Sequence, residues 1–335
     1  MDNLDKRILT AIQSDLPVTE RPFDAVAARL GAGADEVIGR VGRLLADGTI
    51  RRLGPVFDSR SLGYVSTLVA AKVPAERLDE VAETVNRLPG VTHNYARRGA
   101  YNLWFTLTEP SQAALEGALA RLRGDTGIAD IHSLPALAVY KIRVHFDLTD
   151  EEPERGERGG CGDPPRKGSE KPAQAPPLTQ EQKELVRLIQ DGLPAQREPF
   201  AEIAERLGWP VVRVMEQIRT WIDGGVIRRF GAVVRHRELG YLANGMAVFR
   251  VPPDEVDAAG QILAKHPQVS HCYRRPALPD FPYTLFAMTH GRSEDEVRRT
   301  VGRMADEAHL TDYDVLFSVR EFTKRSMRYF ADESA

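Results

Sequence analysis

The sequence predicts an α+β protein built as a tandem duplication, each copy a winged helix-turn-helix followed by a ferredoxin-like βαββαβ domain. Two observations carry this. Short signatures recur at a fixed offset of 177: Ile12-Gln13 as Ile189-Gln190, Pro22-Phe23 as Pro199-Phe200, Arg51-Arg52 as Arg228-Arg229 and Gly63-Tyr64 as Gly240-Tyr241. That period is far beyond a solenoid repeat, so a whole module has been copied. Within each copy, helical periodicity gives way first to a β run and then to alternating strands and helices.

The elements follow in order. Leu4, Ile8, Leu9 and Ile12 lie at helical spacing, and Pro22 opens a second helix that stops at Gly31. A third helix runs from about Ala34 to Gly48, and Thr49 to Phe57 reads as the β-hairpin of a wing. Strand Val65 to Val73, helix Ala75 to Leu88, strands Val91 to Arg97 and Tyr101 to Thr108, helix Ser111 to Arg123 and strand Ile128 to Ile142 complete a βαββαβ unit. Its helices cover one sheet face; a second sheet or a ligand must cover the other. The boundaries expected are 1–62 and 63–147 for the first winged helix and ferredoxin-like domain, 148–177 for a Gly-, Pro- and charge-rich flexible linker, and 178–239 and 240–335 for the second pair. The halves should pack as an internal pseudo-dimer; further homo-oligomerisation stays open.

A chain of 335 residues exceeds one ordinary core, and 42% hydrophobic with 28% charged residues is a globular balance. No run is long enough to span a membrane, and Met1 to Arg7 lacks the apolar stretch of a signal peptide, so a cytoplasmic location without membrane association is expected. Cys161 and Cys272 form no metal spacing, and no metal site is expected. A net charge of −3 supplies no global field for nucleic acid.

The chemistry-bearing stretch is also written twice, as Thr92-His93-Asn94-Tyr95-Ala96-Arg97-Arg98 and Ser270-His271-Cys272-Tyr273-Arg274-Arg275. Strand alternation puts His93, Tyr95 and Arg97 on one face, and His271, Tyr273 and Arg275 likewise. A buried strand face holds histidine and arginine only for a reason, so these passages read as walls of a polar pocket. The second copy inserts Pro276 to Pro282 before its return strand, where the first has a short turn at Gly99-Ala100. His132, His145, His236, His266, His290 and His309 show no ligand pairing and read as surface or packing residues.

The winged helices lack DNA-reading chemistry: the third helix opens with Asp35-Glu36, and its copy with Trp209-Pro210-Val211-Val212. No specific DNA site is expected. The pairs Arg51-Arg52 and Arg228-Arg229 remain as candidates for a solvated wing, for phosphates or for ligand carboxylates.

Winged helix followed by βαββαβ resembles the leucine- and asparagine-responsive (Lrp/AsnC-type) regulators. Thr92-His93-Asn94-Tyr95 with Tyr101-Asn102-Leu103-Trp104-Phe105-Thr106 more specifically resembles the first subunit of siroheme decarboxylase. Ser270-His271-Cys272-Tyr273, Phe281-Pro282-Tyr283, His290-Gly291 and the terminal Arg320 to Phe330 resemble its second subunit or relatives in d-type haem synthesis. The resemblance implies a fused carboxy-lyase that removes two acetate carboxyl groups from siroheme, giving didecarboxysiroheme for haem or d-type haem, with the iron belonging to the substrate and no cofactor of its own. The family's two functional histidines map onto His93 and His271; Thr284 stands where the first copy has Asn102.

The residue types suit that chemistry. Histidine can return a proton to the methylene carbon left by carbon dioxide, although an axial iron ligand is an equal reading of the sequence. Arg97, Arg98, Arg274, Arg275, Arg51, Arg52, Arg228 and Arg229 are candidates for the non-reacting carboxylates, with Tyr95, Tyr101, Tyr273, Tyr283, Lys324 and Arg325 as further substrate contacts. The Pro276 to Pro282 insertion would fold over a bound macrocycle. The rival from another class is a transcriptional regulator of the same fold that responds to haem or another tetrapyrrole.

Overall fold

A computed structural model of the protein describes residues 1–142, 177–234 and 243–331. The linker expected at 148–177 (except its last residue), Cys161, His145, His236 and the Gly240-Tyr241 signature lie outside the described residues.

The first winged helix is α1 (Asn3–Ser14), α2 (Pro22–Leu30), α3 (Ala34–Ala46) and β1 (Ile50–Phe57). Asp2 caps α1 by accepting from the Asp5 backbone while Asp5 accepts from that of Asp2, and Gly31 ends α2 at a φ of 66°. The second copy gives α6 (Gln180–Ile189), α7 (Ala201–Leu207), α8 (Val211–Asp223) and β7 (Ile227–Val234).

The expected wing hairpin is absent. β1 is one continuous strand whose partner is β7 of the other copy, antiparallel, with Gly54 opposite Gly231. Gly54-Pro55 does not turn the chain here: both residues stay in the ladder, opposite Gly231 and Phe230, and the backbone groups of all eight residues find the equivalent strand across the pseudo-two-fold axis. The axis is tight: a Cβ at Gly231 would lie 2.3 Å from the Ile12 carbonyl oxygen. Ile12, Phe23 and Phe57 share a single core with Ile189, Phe200 and Trp221, so the two winged helices form one unit.

The first ferredoxin-like unit runs β2 (Val65–Ala71), a 3₁₀ turn leading into α4 (Leu78–Asn86), β3 (Val91–Arg97), β4 (Leu103–Glu109), α5 (Gln112–Thr126), β5 (Ile131–Pro135) and β6 (Ala138–Ile142). The second runs β8 (Ala243–Phe249), α9 (Val256–Lys265), β9 (Val269–Arg274), β10 (Leu285–Gly291), α10 (Glu294–Glu307) and β11 (Tyr313–Lys324). They form one nine-stranded sheet in the order β5-β2-β4-β3-β11-β8-β10-β9-β6. Its edge strands are consecutive in the chain, parted by Ala136 and Leu137, so the sheet wraps back on itself.

The strand expected over Ile128 to Ile142 is thus two. β5 pairs with β2 of its own copy, whereas β6 crosses to β9 of the other. β11 does both in one run: Tyr313 to Phe317 pairs with β8, and Ser318 to Lys324 with β3. Pro135, which has no N–H to donate, marks the break in the first copy. Val69, Leu103, Phe105 and Leu107 face α4 and α5, while Trp104, Leu134, Met246, Phe286 and Leu316 from both copies meet on the opposite face. The second copy's half of the sheet is therefore the cover that the sequence calls for.

Candidate active site

The histidines lie on the inward sheet face because of register. His93 is opposite Thr106 and Tyr95 opposite Trp104; His271 is opposite Met288 and Tyr273 opposite Phe286. Each copy builds the same stack. His93 lies 6.3 Å from Tyr95 at 28°, with the Arg97 guanidinium 5.5 Å from the tyrosine ring. His271 lies 6.0 Å from Tyr273 at 22°, with Arg275 at 4.7 Å. Asn94 and Cys272 point the other way, onto the carbonyls of Ala82 in α4 and Gly260 in α9.

A bulge at Thr92 and at Ser270 breaks the ladder in both copies and brings each hydroxyl beside the next residue's imidazole. Thr92 Oγ1 is 2.9 Å from His93 Nδ1 and 2.7 Å from Thr106 Oγ1. Ser270 Oγ is 2.9 Å from His271 Nδ1 and 2.7 Å from His290 Nε2. By sequence His290 reads as a surface or packing residue; the structure links it to His271 through Ser270. The signal was parity: His290 is two residues beyond Met288 on β10 and shares its face.

Burial, first of all, depresses these rings: His93 to about 4, His271 to about 3 and His290 to about 4. Neighbouring cations add to it, Lys324 and Arg51 at His93, and Arg228 and Arg275 with the other two histidines at His271. The ligand-free rings are neutral at pH 7. The arginines on the same face are buried too, and both Arg97 and Arg275 fall to about 10 yet remain charged.

The basic candidates divide. Arg97 Nη1 donates to the Leu316 carbonyl of β11 at 2.8 Å and Arg275 Nη1 to the Leu134 carbonyl of β5, so each reaches a strand of the other copy; both leave Nε buried without a hydrogen-bond partner among the described residues. Arg51 and Arg228 bear on the two histidine stacks, Arg228 also pairing with Asp58. Lys324, directly opposite His93 in the ladder, bears on His93 and His290. Arg60, which no motif in the sequence marks, bears on Tyr273 and Arg275.

Other expected contacts lie elsewhere. Arg52 donates to the Gln190 carbonyl and Arg229 to the Gln13 carbonyl, bracing the helix ends of the opposite copy; their alternation with Arg51 and Arg228 turns them away from the stacks. Arg98 and Arg274 have the parity of Asn94 and Cys272, and Arg98 pairs with Glu294 at the start of α10. Arg325 donates to the Asn86, Leu88 and Val91 carbonyls, closing the α4 to β3 turn. Tyr95, within the first stack, donates to Glu321 at 3.1 Å.

The insertion is anchored between the two copies. Phe281 plugs the space between the sheets, 5.6 Å from both Tyr101 and Trp104 and 4.8 Å from Tyr283. Asp280 pairs with Lys72 and accepts from Tyr101 Oη at 2.9 Å. Tyr101 and Tyr283 thus both pack against this apolar plug. Asn102 clasps the Val73 backbone through its amide, and Thr284 makes the corresponding bond to Val251.

Clefts of about 220 and 640 Å³ open beside Arg87 and Arg121 and beside Arg250 and His309; neither includes a stack residue. Among the described residues no His, Cys, Asp and Glu group is arranged for a metal, and no helix is long and apolar enough to cross a membrane.

Comparison with known proteins accords with this geometry. Residues 61–141 and 238–323 match the AsnC-like ligand binding domain, and 5–51 and 182–228 the siroheme decarboxylase NirDL-like HTH domain. The chain is 36% identical over 334 residues to a siroheme decarboxylase of Hydrogenobacter thermophilus, spanning 99% of this chain and 97% of that protein. A siroheme decarboxylase alpha subunit of Desulfovibrio desulfuricans is 44% identical over 151 residues, covering 45% of this chain and 87% of the subunit. The crystal structure of the siroheme decarboxylase NirDL in co-complex with an iron-uroporphyrin III analogue superposes with a TM-score of 0.74 at 33% identity, covering 99% of this chain and 96% of that one. The duplicated winged helices, the joined AsnC-like sheets and these matches over nearly the whole length lead to one assignment: the chain belongs to the siroheme decarboxylase family of carboxy-lyases, in its fused NirDL form.

Proposed function

We propose that this enzyme removes two acetate carboxyl groups from siroheme without oxidation, yielding didecarboxysiroheme, with His93 and His271 as proton donors. The observation that carries the reading is the twofold stack of histidine, tyrosine and arginine, each imidazole Nδ1 held by a hydroxyl. With Nδ1 engaged, Nε2 of each ring is the atom left for the substrate.

Loss of carbon dioxide leaves an electron pair on the methylene carbon, which the conjugated macrocycle delocalises, and a proton then completes the methyl group. A general acid at that carbon accelerates the step. The positive groups Arg51, Arg228, Lys324, Arg97 and Arg275 suit a polycarboxylate, and the partnerless Nε atoms of Arg97 and Arg275 are donors that a carboxylate would take. They serve best on carboxylates that stay, because gripping the leaving one in the ground state would slow its departure. A bound carboxylate also opposes the burial effect on the His93 ring and favours its protonated form.

Anaerobic incubation with siroheme followed by mass analysis tests this. Loss of two carbon dioxide units is expected; recovery of unchanged siroheme under conditions where it binds would reject the reading.

A further inference from the structure

The two copies differ in what lies behind the hydroxyl. In the second, Ser270 Oγ bridges two imidazoles, His271 Nδ1 at 2.9 Å and His290 Nε2 at 2.7 Å. In the first, Thr92 Oγ1 bridges His93 Nδ1 to Thr106 Oγ1, and the position matching His290 is Thr108, which donates to Ser66 at 3.0 Å. Thus one chain ends on a titratable ring and the other on a threonine.

We propose that His290 and Ser270 form a proton relay that resupplies His271, so that the second copy, and not the first, carries a built-in route for the proton each decarboxylation consumes. The proposal rests on the reading of His271 as the acid. A serine hydroxyl has one hydrogen, so it can donate to one ring only and must accept from the other. With the hydroxyl donating to His271 Nδ1, His290 Nε2–H donates to Oγ and the His271 proton resides on Nε2. As the bond from the methylene carbon to the carboxylate breaks and carbon dioxide leaves, the Nε2 proton of His271 passes to that carbon. The Ser270 hydroxyl proton moves to His271 Nδ1, the His290 Nε2 proton moves to Ser270 Oγ, and His290 takes one proton from solvent at Nδ1. One proton enters and one is consumed, and every member ends neutral.

Neutrality along the chain is what the surroundings demand. His290 is partly exposed and faces Lys324 of β11 and Arg97 of β3, while His271 faces Arg228, Arg275 and His93. Lys324 and the three arginines discourage storage of a charged imidazolium, whereas a hand-to-hand transfer needs none. His290 acts through its neighbours and is a positioning and relay residue.

The test uses the full chain with siroheme under anaerobic conditions, measuring kcat, KM and the solvent deuterium effect for His290→Ala, His290→Gln, Ser270→Ala, Ser270→Thr and His271→Ala. His290→Gln keeps a donor to Ser270 and guards against a folding defect but cannot pass a proton along. Both His290 variants should lower kcat by about 10- to 100-fold, below the full contribution of a general acid, with KM within about twofold. Ser270→Thr should retain most activity. Ser270→Ala combined with His290→Ala should be no slower than either alone, since members of one chain are not additive. Added imidazole should recover part of the His290→Ala rate.

Wild-type kcat in His290→Gln, with His271→Ala inactive, would overturn the relay and leave His271 as the acid. Additive losses in the Ser270→Ala, His290→Ala double variant would also overturn it. An active His271→Ala would instead remove the reading on which the relay stands.

Discussion

Two strands related by the duplication, β3 and β9, carry the same stack and bulge in the same place, yet their hydrogen-bond networks diverge. Behind Thr92 stands Thr106; behind Ser270 stands His290, with the apolar Met288 opposite His271 where Thr106 is opposite His93. Backbone register and ring stacking are thus the shared scaffold, and the side chains on the neighbouring strand distinguish the pockets. The basic pairs teach a parallel lesson. In Arg51-Arg52 and Arg228-Arg229, one member bears on a histidine stack and the other braces the opposite copy, because adjacent strand residues face opposite ways.

The comparison is broken most severely by removing the rings. His271→Ala should reduce turnover about 10²- to 10⁴-fold while siroheme still binds. His93→Ala should match it if each histidine serves one acetate, and one of the two mutants should then accumulate product lacking a single carboxyl group, read by mass. Visible spectra of the complexes separate the roles: loss of a low-spin iron signature in His271→Ala would make that ring an axial ligand.

Next comes the insertion present only in the second copy. Phe281→Ala empties a site between the sheets and should cost about 3–5 kcal/mol of stability, measured by denaturant unfolding, with kcat of the folded enzyme preserved. A fall in kcat at unchanged stability would restore the insertion to the role of a cover.

A smaller effect tests the arginine pairs. Arg52→Ala or Arg229→Ala should lower stability by about 1.5–3 kcal/mol, the range for a hydrogen bond to a charged group. Arg51→Ala and Arg228→Ala should chiefly raise KM. Equal stability losses from both members of a pair would contradict the division.

A further test is acid sensitivity, expressed only below neutral pH. Folded values of about 4, 3 and 4 for His93, His271 and His290 lie below the unfolded value of ~6.5. Their contribution is complete above pH ~6.5 and is lost as pH falls toward 3–4, because the unfolded chain takes up the protons first. Replacing His93 with Gln should flatten the stability profile by one proton, and replacing both His271 and His290 by two. A profile unchanged by all three substitutions would mean that the rings are not buried in solution.

The duplication, the three helices, the strand order and the facing of His93, Tyr95 and Arg97 were legible in the sequence, since helical and strand periodicities are local and an internal repeat needs no structure to be seen. The resemblance that marked the family also lay in short contiguous stretches. What the sequence left open was the choice among partners distant in the chain. That the wing strand pairs with the equivalent strand of the other copy, that β6 and β11 cross between copies, and that Phe281 fills the space between them were settled only when two similar surfaces met about the pseudo-two-fold axis. His290 shows the same limit most sharply: twenty residues separate it from Ser270 in the chain, and only antiparallel pairing of β9 with β10, together with a bulge that turns one hydroxyl aside, brings the two within 2.7 Å.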